Sequence, residues 1–371
     1  MHTCDVLIAG GGPAGSACAW KLRQAGLDVI VMDKAAFPRD KVCAGWITPQ
    51  VIEDLALDVA DYRPGRTFQP ITGFRVGLIN SDRALETRYE RPVSYGIRRC
   101  EFDDYLLKRA NARLVLGTAV SKVRRDAGSW VVNESVRASM LVGAGGHFCT
   151  VARTLAGDSD RAPIIAAQEV EFAIEAPGPA FAIADEIPEL YFCQDLKGYG
   201  WCFRKENYLN IGFGRLDSKG LPKQTAEFVD FLKTKGRIPR NGSWRWKGHA
   251  YLLAGDTGRS PVADGVVLVG DAAGLAYPQS GEGIRPAIES GLMAASTIVA
   301  AQGSYRRERL EGYERSLARR FAAPTSTGWL GRLIPDALSS AAARRLLASP
   351  AFVRHMVLNR WFLHAQQPAL S

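Results

Sequence analysis

The chain opens on apolar runs punctuated by glycine. Residues 5–9 form an unbroken apolar strand, Gly10-Gly-Gly-Pro-Ala-Gly15 follows at once, and residues 16–25 predict a helix with small side chains on its inner face. A second apolar strand, residues 27–32, ends at Asp33. Strand, glycine turn, helix and a carboxylate about 20 residues further on is the order in which a Rossmann-type unit holds a dinucleotide. Gly10 permits the tight turn, Gly12 lets backbone N–H groups approach a pyrophosphate, and Gly15 lets helix and sheet pack closely, while the helix N-terminus stabilises phosphate charge. Asp33 is placed to accept hydrogen bonds from ribose hydroxyls. Residues 266–271 are again a buried strand ending at a carboxylate, Asp271, and a helix is predicted to start near Gly283.

The middle of the chain has a shorter period. Residues 73–79, 85–89, 164–174, 189–193, 200–205 and 208–214 have strand character, and several alternate apolar with polar positions. They predict an antiparallel sheet inserted twice into the nucleotide-binding unit, at 66–95 and 156–254, leaving 1–65, 96–155 and 255–300 to that unit. Residues 114–142 read as short strands of the same unit, with Ala127-Gly128 turning a hairpin. After Ala300 the pattern becomes helical, and Pro324, Pro335 and Pro350 divide residues 301–371 into pieces. Phe352, Val353, Met356, Val357 and Trp361 fall on one helical stripe. Two roles are open to it: packing on the protein's own sheet, or covering an apolar substrate or an anionic membrane surface.

Composition narrows the partners. A length of 371 residues exceeds what one core usually supports, so one large or two interleaved domains are expected. No apolar run reaches the roughly 18–20 residues that cross a bilayer, and the strand at the start leaves no room for a signal peptide, so a cytoplasmic location is expected. The seven cysteines form no C-x-x-C pair, which argues against a disulfide framework or a metal site. Net charge is +9, yet residues 301–371 carry eleven Arg, no Lys and four acidic residues, so the body of the chain is nearly neutral. That is not the pattern of a nucleic-acid surface. Trp130, Trp244, Trp246 and the five histidines show no ligand-like spacing and are expected to be structural or at the surface.

Three further segments are more specific. Phe37-Pro-Arg-Asp-Lys-Val-Cys-Ala-Gly45 resembles the loop after the second strand in the geranylgeranyl reductase branch of the flavin monooxygenase superfamily, usually written Lys-x-Cys-Gly-Gly; Gly45 matches and Ala44 departs. Gly96-Ile-Arg-Arg-Cys-Glu-Phe-Asp-Asp-Tyr-Leu106 looks like the segment in which an Arg three residues before Phe-Asp contacts FAD, here Arg99. The stretch 266–271, with Gly281-Glu-Gly-Ile-Arg285, is similar to the second flavin motif, in which Asp271 would bind the ribityl chain. The resemblance implies an α/β fold: a Rossmann-type FAD-binding domain with an inserted antiparallel-sheet substrate domain and a helical C-terminal tail. It implies FAD contacts at Gly10, Gly12, Ala14, Gly15, Asp33, Lys41, Ala44, Arg99, Asp271, Gly281, Gly283 and Ile284. Tyr199-Gly-Trp-Cys-Phe203-Arg-Lys is similar to the aromatic motif Tyr-x-Trp-x-Phe-Pro, with Arg204 replacing proline. Tyr199 and Trp201 would then wall a substrate cavity before the flavin; the alternative is plain core. Cys43 would stand beside the flavin, either as a gate or proton donor or as an inert buried thiol.

The superfamily's middle motif, often Gly-Ala-Asp-Gly, reads Gly143-Ala-Gly-Gly146 here. Without that aspartate, direct reduction by NAD(P)H competes with a separate electron-donor protein as the electron source. No second glycine fingerprint follows a strand, which argues against an architecture with two dinucleotide domains. The resemblance implies reduction of carbon–carbon double bonds in a prenyl or lipid-like apolar substrate, with hydride from reduced FAD and a proton from a protein acid or water. The alternative is monooxygenation of an aromatic or polyketide-like substrate. A halogenase lacks its double-tryptophan signature here, and a non-enzymatic flavin sensor has no partner domain in its favour.

Overall fold

The structure is a computed structural model that describes residues 1–156, 164–174, 183–216, 220–242, 244–252, 260–277, 279–321 and 344–370. Its first sheet joins β1 (His2–Ala9), β2 (Val29–Asp33), β8 (Arg113–Leu116), β9 (Val123–Asp126), β10 (Ser129–Val132), β11 (Val136–Gly143), β17 (Val262–Ala263) and β18 (Val266–Leu268). The order is β17-β18-β11-β1-β2-β8, with β10 and β9 attached beside β11. The inner strands β18, β11, β1, β2 and β8 run parallel. Val6–Ile8, Val29–Met32 and Met140–Val142 are buried completely or almost so, as continuous apolar runs must be when both faces of a sheet are covered. The helices are α1 (Pro13–Gln24), α2 (Pro49–Asp54), α3 (Val59–Tyr62), α4 (Arg99–Arg109), α5 (Thr150–Ala156), α6 (Leu221–Thr234), α7 (Ile284–Ala300) and α8 (Arg307–Phe321). A Cβ on Gly291 would lie 2.3 Å from the Ala14 carbonyl oxygen, so α7 rests on α1 backbone to backbone. That contact brings two helix N-termini to the carboxyl ends of β1, β11 and β18, where open α/β sheets bind ligands.

The second sheet has the order β16-β12-β15-β14-β13-β5-β6: β16 (Lys247–Leu252), β12 (Ile164–Ala173), β15 (Tyr208–Arg215), β14 (Gly198–Lys205), β13 (Glu189–Phe192), β5 (Gly73–Leu78) and β6 (Ala84–Arg88). Every neighbouring pair is antiparallel except β13 with β5. The parallel pair departs from the expected all-antiparallel sheet, because these two strands come from separate insertions and no hairpin dictates their sense. A small sheet of β3 (Trp46–Ile47), β7 (Ser94–Gly96) and β4 (Gln69–Ile71) brackets the first insertion in sequence. On one face of the large sheet, α6 buries Phe228, Phe231 and Leu232, and Gly200 makes room for the Phe228 ring. The period of two then places Tyr199, Trp201 and Phe203 on the opposite face.

Pro324 and Pro335 lie outside the described residues. Pro350 opens a short helix, Pro350–Phe352, whose first turn is capped by the Ser349 hydroxyl. It continues as a π-helical segment, Val353–Phe362, closed by the Leu363 N–H donating to the Leu358 carbonyl. The wider turn corrects the expected stripe: Val353, Val357, Leu358, Phe362 and Leu363 are buried, whereas Met356 and Trp361 are only half-buried. The buried set joins Trp46, Phe74, Leu190, Phe192, Trp201 and Phe203 in one core, so this part of the tail packs on the protein's own sheet. Residues 364–368 then return to α7, where buried Arg285 donates to the Gln367 and Pro368 carbonyls at 2.7 and 3.0 Å, and Arg285 and Arg320 both pair with Glu289 at 2.6 Å. Among the described residues no helix is long and apolar enough to cross a membrane.

Candidate active site

A cleft of about 520 Å³ opens where the strand ends of the first sheet meet the aromatic face of the second. Gly10 has a φ of +124°, and a Cβ there would lie 2.3 Å from the Ala144 carbonyl oxygen; on Gly15 it would lie 1.9 Å from the Gly10 carbonyl oxygen. Neither glycine lines the cleft, so both shape the turn rather than touch a ligand, while Gly12 and Ala14 do line it. Gly12 offers no side chain to cap α1, which leaves the first N–H groups open to an anion. The Asp33 carboxylate is locked at the cleft edge by the N–H groups of Gly11 and Ala35, at 2.7 and 2.8 Å. Asp271 sits on a 3₁₀ turn, Gly270–Ala272, directly after β18. Gly281, Gly283 and Ile284 line the same cleft, and α7 starts at Gly283 with its Arg285 N–H taken by Glu282 Oε1. The open start of α1, the start of α7 and two carboxylates at strand ends along one cleft fit a dinucleotide such as FAD.

The loop 37–45 supplies positive charge. Buried Arg99 grips Asp103 through Nε and Nη2 at 2.8 and 2.9 Å, and Arg39 Nη2 lies 3.2 Å from the same carboxylate. Two guanidiniums share one buried acid, and Arg39 Nη1 finds no hydrogen-bond partner among the described residues. The net positive charge suits an anionic cofactor. Lys41 Nζ lies 3.0 and 2.9 Å from the two His249 ring nitrogens, and His249 Nε2 lies 3.9 Å from Asp271 Oδ2. Burial, with Arg99 nearby, pushes Lys41 down to about 8, and burial, with Lys41 nearby, pushes His249 down to about 3, so His249 is neutral at pH 7. Burial raises the Cys43 thiol despite the attraction of Arg99, which keeps it protonated. His249 and His147 line the cleft, which corrects the expectation that all five histidines are structural or at the surface. His249 lies beside Ala167 on the edge strand β16, a segment whose strand pattern is too short to stand out.

The aromatic wall is built from rows across the second sheet. Tyr199, Gly214, Ala167 and His249 form one row, Trp201, Gly212, Glu169 and Lys247 the next, and Phe203, Asn210 and Glu171 a third. Gly212 is bare because the Trp201 indole lies over it, 2.0 Å from where a Cβ would stand. The indole N–H donates to Asn210 Oδ1 at 2.7 Å. Tyr199 donates its hydroxyl hydrogen bond to the Ser280 carbonyl, tying the wall to the turn before α7. Trp46, Phe192 and Phe362 close around these rings at centroid distances of 5.3–6.3 Å. Lys205, fully buried, continues the ladder: its Nζ donates to the Ala44 and Ile97 carbonyls at 3.0 and 2.9 Å and lies 2.5 Å from Glu171 Oε2. Arg204 faces away and donates to the Glu206 carbonyl, so replacing proline leaves the wall intact. At Gly145 a Cβ would crowd Cys149 at 3.2 Å.

All the expected site residues thus converge, with Gly10 and Gly15 behind the surface. Arg39, Glu169, Lys205 and His249 are additions. Lys205 was within reach of the same period of two that pairs Tyr199 with Trp201, and Glu169 of the alternation in residues 164–174.

A model of an NAD(P)-binding Rossmann-like domain matches residues 8–63. The menaquinone reductase of Mycolicibacterium smegmatis is 30% identical over 322 residues, covering 80% of this chain and 77% of its own. The geranylgeranyl diphosphate reductase of Rhodobacter capsulatus is 29% identical over 316 residues, covering 80% and 75%. The crystal structure of a geranylgeranyl bacteriochlorophyll reductase-like protein from Thermoplasma acidophilum superposes with a TM-score of 0.78 at 20% identity, covering 99% of this chain and 98% of that one.

Proposed function

The chain belongs to the geranylgeranyl reductase-like branch of the FAD-dependent oxidoreductases, and from that premise we propose that it reduces carbon–carbon double bonds in a prenyl or comparably apolar chain. The observation that carries this reading is the continuity of the aromatic wall with the cofactor cleft: Trp201 and Asp271 line one cavity, and Tyr199 is bonded to the turn that begins α7. Bound FAD, once reduced, supplies a hydride. The protein's part is to hold an apolar chain in a cavity shielded from water and aligned with the ring. Trp46, Tyr199 and Trp201 do this with rigid surfaces, and Phe362 packs behind them. The two similar reductases bear the names of isoprenoid substrates, which supports the same class.

The electrons come from a nicotinamide or from a donor protein, and anaerobic titration with NADPH separates the two. Exposed Arg344, Arg345, Arg354 and Arg360, with Leu346 beside them in sequence, give the tail a basic face for peripheral contact with anionic lipid. Sedimentation with phosphatidylglycerol vesicles tests this. The activity itself is tested by reducing the enzyme anaerobically and adding geranylgeranyl diphosphate or a menaquinone while recording flavin absorbance. Reoxidation without oxygen supports reduction. Stability of the reduced flavin until oxygen enters, followed by a peroxyflavin band, supports hydroxylation instead.

A further inference from the structure

Reduction of an alkene needs a proton as well as a hydride. Among the described residues five acidic side chains line the cleft: Asp33, Asp40, Glu169, Asp271 and Glu282. Asp33 and Asp271 are placed to bind the cofactor, and Asp40 pairs with Lys247 at 2.6 Å. Glu282 is committed to the start of α7, where its Oε1 takes the Arg285 N–H at 2.8 Å. Glu169 is different. It is 5% exposed, it lies in the row of Trp201 with only bare Gly212 between them, and its Oε2 has no hydrogen-bond partner among the described residues.

The groups around it come from every neighbouring element. Lys205 reaches in from β14, Glu171 shares β12, Arg99 projects from α4, and Lys247 and His249 lie on β16. Cys43 on the cofactor loop donates its backbone N–H to the carboxyl. Burial raises this carboxyl to about 7, and that outweighs the lowering by the Cys43 N–H, Lys205 and Arg99. A carboxylic acid is therefore available near neutral pH, where a general acid works best.

We propose that Glu169 donates the proton that completes reduction of the double bond. The inference rests on the reductase reading. Two-electron-reduced FAD gives a hydride to one alkene carbon, and Glu169 Oε2–H gives its proton to the other. The π bond breaks, two C–H bonds form, FAD is left oxidised, and Glu169 is left as a carboxylate that is reprotonated from water after product leaves.

The test uses the full-length enzyme with FAD bound, and compares wild type, Glu169→Gln and Glu169→Asp. Glutamine keeps the shape and can still accept the Cys43 N–H. Anaerobic reoxidation by geranylgeranyl diphosphate should slow about 10²–10⁴-fold in E169Q, recover partly in E169D, and leave FAD affinity within twofold. Wild-type reoxidation should fall tenfold per pH unit above the carboxyl's titration, with no such limb in E169Q. Equal rates and pH profiles for wild type and E169Q would overturn the assignment. A readout independent of turnover is the protonated-carboxyl band in the wild-type-minus-E169Q infrared difference spectrum, present at pH 6 and lost by pH 8; the carboxyls of Glu282 and Asp54, which burial also raises, cancel in that difference. Absence of that band at pH 6 overturns the assignment whatever the turnover of E169Q. Failure of wild type to be reoxidised by any polyprenyl substrate, with the band present, sinks the reductase reading instead.

Discussion

Replacing Lys205 by methionine tests the physical link between the two sheets. The ammonium is wholly buried, pairs with Glu171 and donates to two carbonyls, Ala44 on the cofactor loop and Ile97 before α4. Gly45 and Gly96 are bare so that it can pass: a Cβ would meet Nζ at 2.8 Å on Gly45, and Cγ at 2.9 Å on Gly96. Methionine fills the channel but removes every bond. Breaking a buried pair costs about 3–5 kcal/mol. Glu171 keeps Arg98 at 3.1 Å and Asn210 at 3.2 Å, which reduces that cost, while the two carbonyls each lose a donor worth about 1 kcal/mol. The net expectation is about 3–4 kcal/mol, or a Tm lower by roughly 4–5 °C for a chain of this size. Loosening of the loop should also weaken FAD by about tenfold, measured by fluorescence titration. Burial raises the Glu171 carboxyl, but Lys205, Arg98 and Asn210 outweigh it and hold it below 4.5. That contribution is complete above pH 4.5 and fades as pH falls through the folded value, so wild type and variant should converge in acid. A Tm change under 1 °C with unaltered FAD affinity would refute the reasoning.

Four further outcomes follow. Asp271→Asn and Asp33→Asn should each weaken FAD by about 1–3 kcal/mol in a binding titration while leaving the far-ultraviolet circular dichroism unchanged. Gly212→Ala should displace the Trp201 indole and its bond to Asn210, lowering turnover of the prenyl substrate at least tenfold with FAD binding retained. Phe362→Ala should cost about 3–5 kcal/mol by denaturant titration, because the ring is fully buried against Trp46, Phe192 and Tyr199. Lys41 is held down to about 8, so its charged form costs stability that is complete below pH 8 and relieved as pH rises towards 10.5. Lys41→Met should therefore stabilise the FAD-free protein by about 2 kcal/mol at pH 7, with the gain shrinking at pH 10.

Much of this site was legible because its motifs are local. The glycine turn at 10–15, Asp33, and the strand ending at Asp271 each declare themselves within a few residues, since a pyrophosphate needs bare backbone at a helix start. The aromatic wall is legible through the resemblance of Tyr199–Phe203 to a family motif, since the bare alternation along one strand fits plain core equally well. The rest depends on neighbours distant in sequence. Glu169 gains its character only when β12 lies two strands from Trp201, and His249 only when β16 completes the row beside Ala167. The tail misled for a different reason. Its stripe was read at α-helical spacing, whereas packing into the second core gives residues 353–362 the wider π turn and brings Phe362 to Tyr199. The parallel pairing of β13 with β5 was likewise invisible, because no turn joins them.

The most direct measurement is the mass of the product. Reduced enzyme incubated with a polyprenyl substrate in deuterated water, under argon, should return a chain that has gained two hydrogens per bond reduced, at least one of them deuterium. A substrate recovered unchanged under argon, but carrying one added oxygen once air is admitted, would contradict double-bond reduction and place this cleft among the hydroxylases.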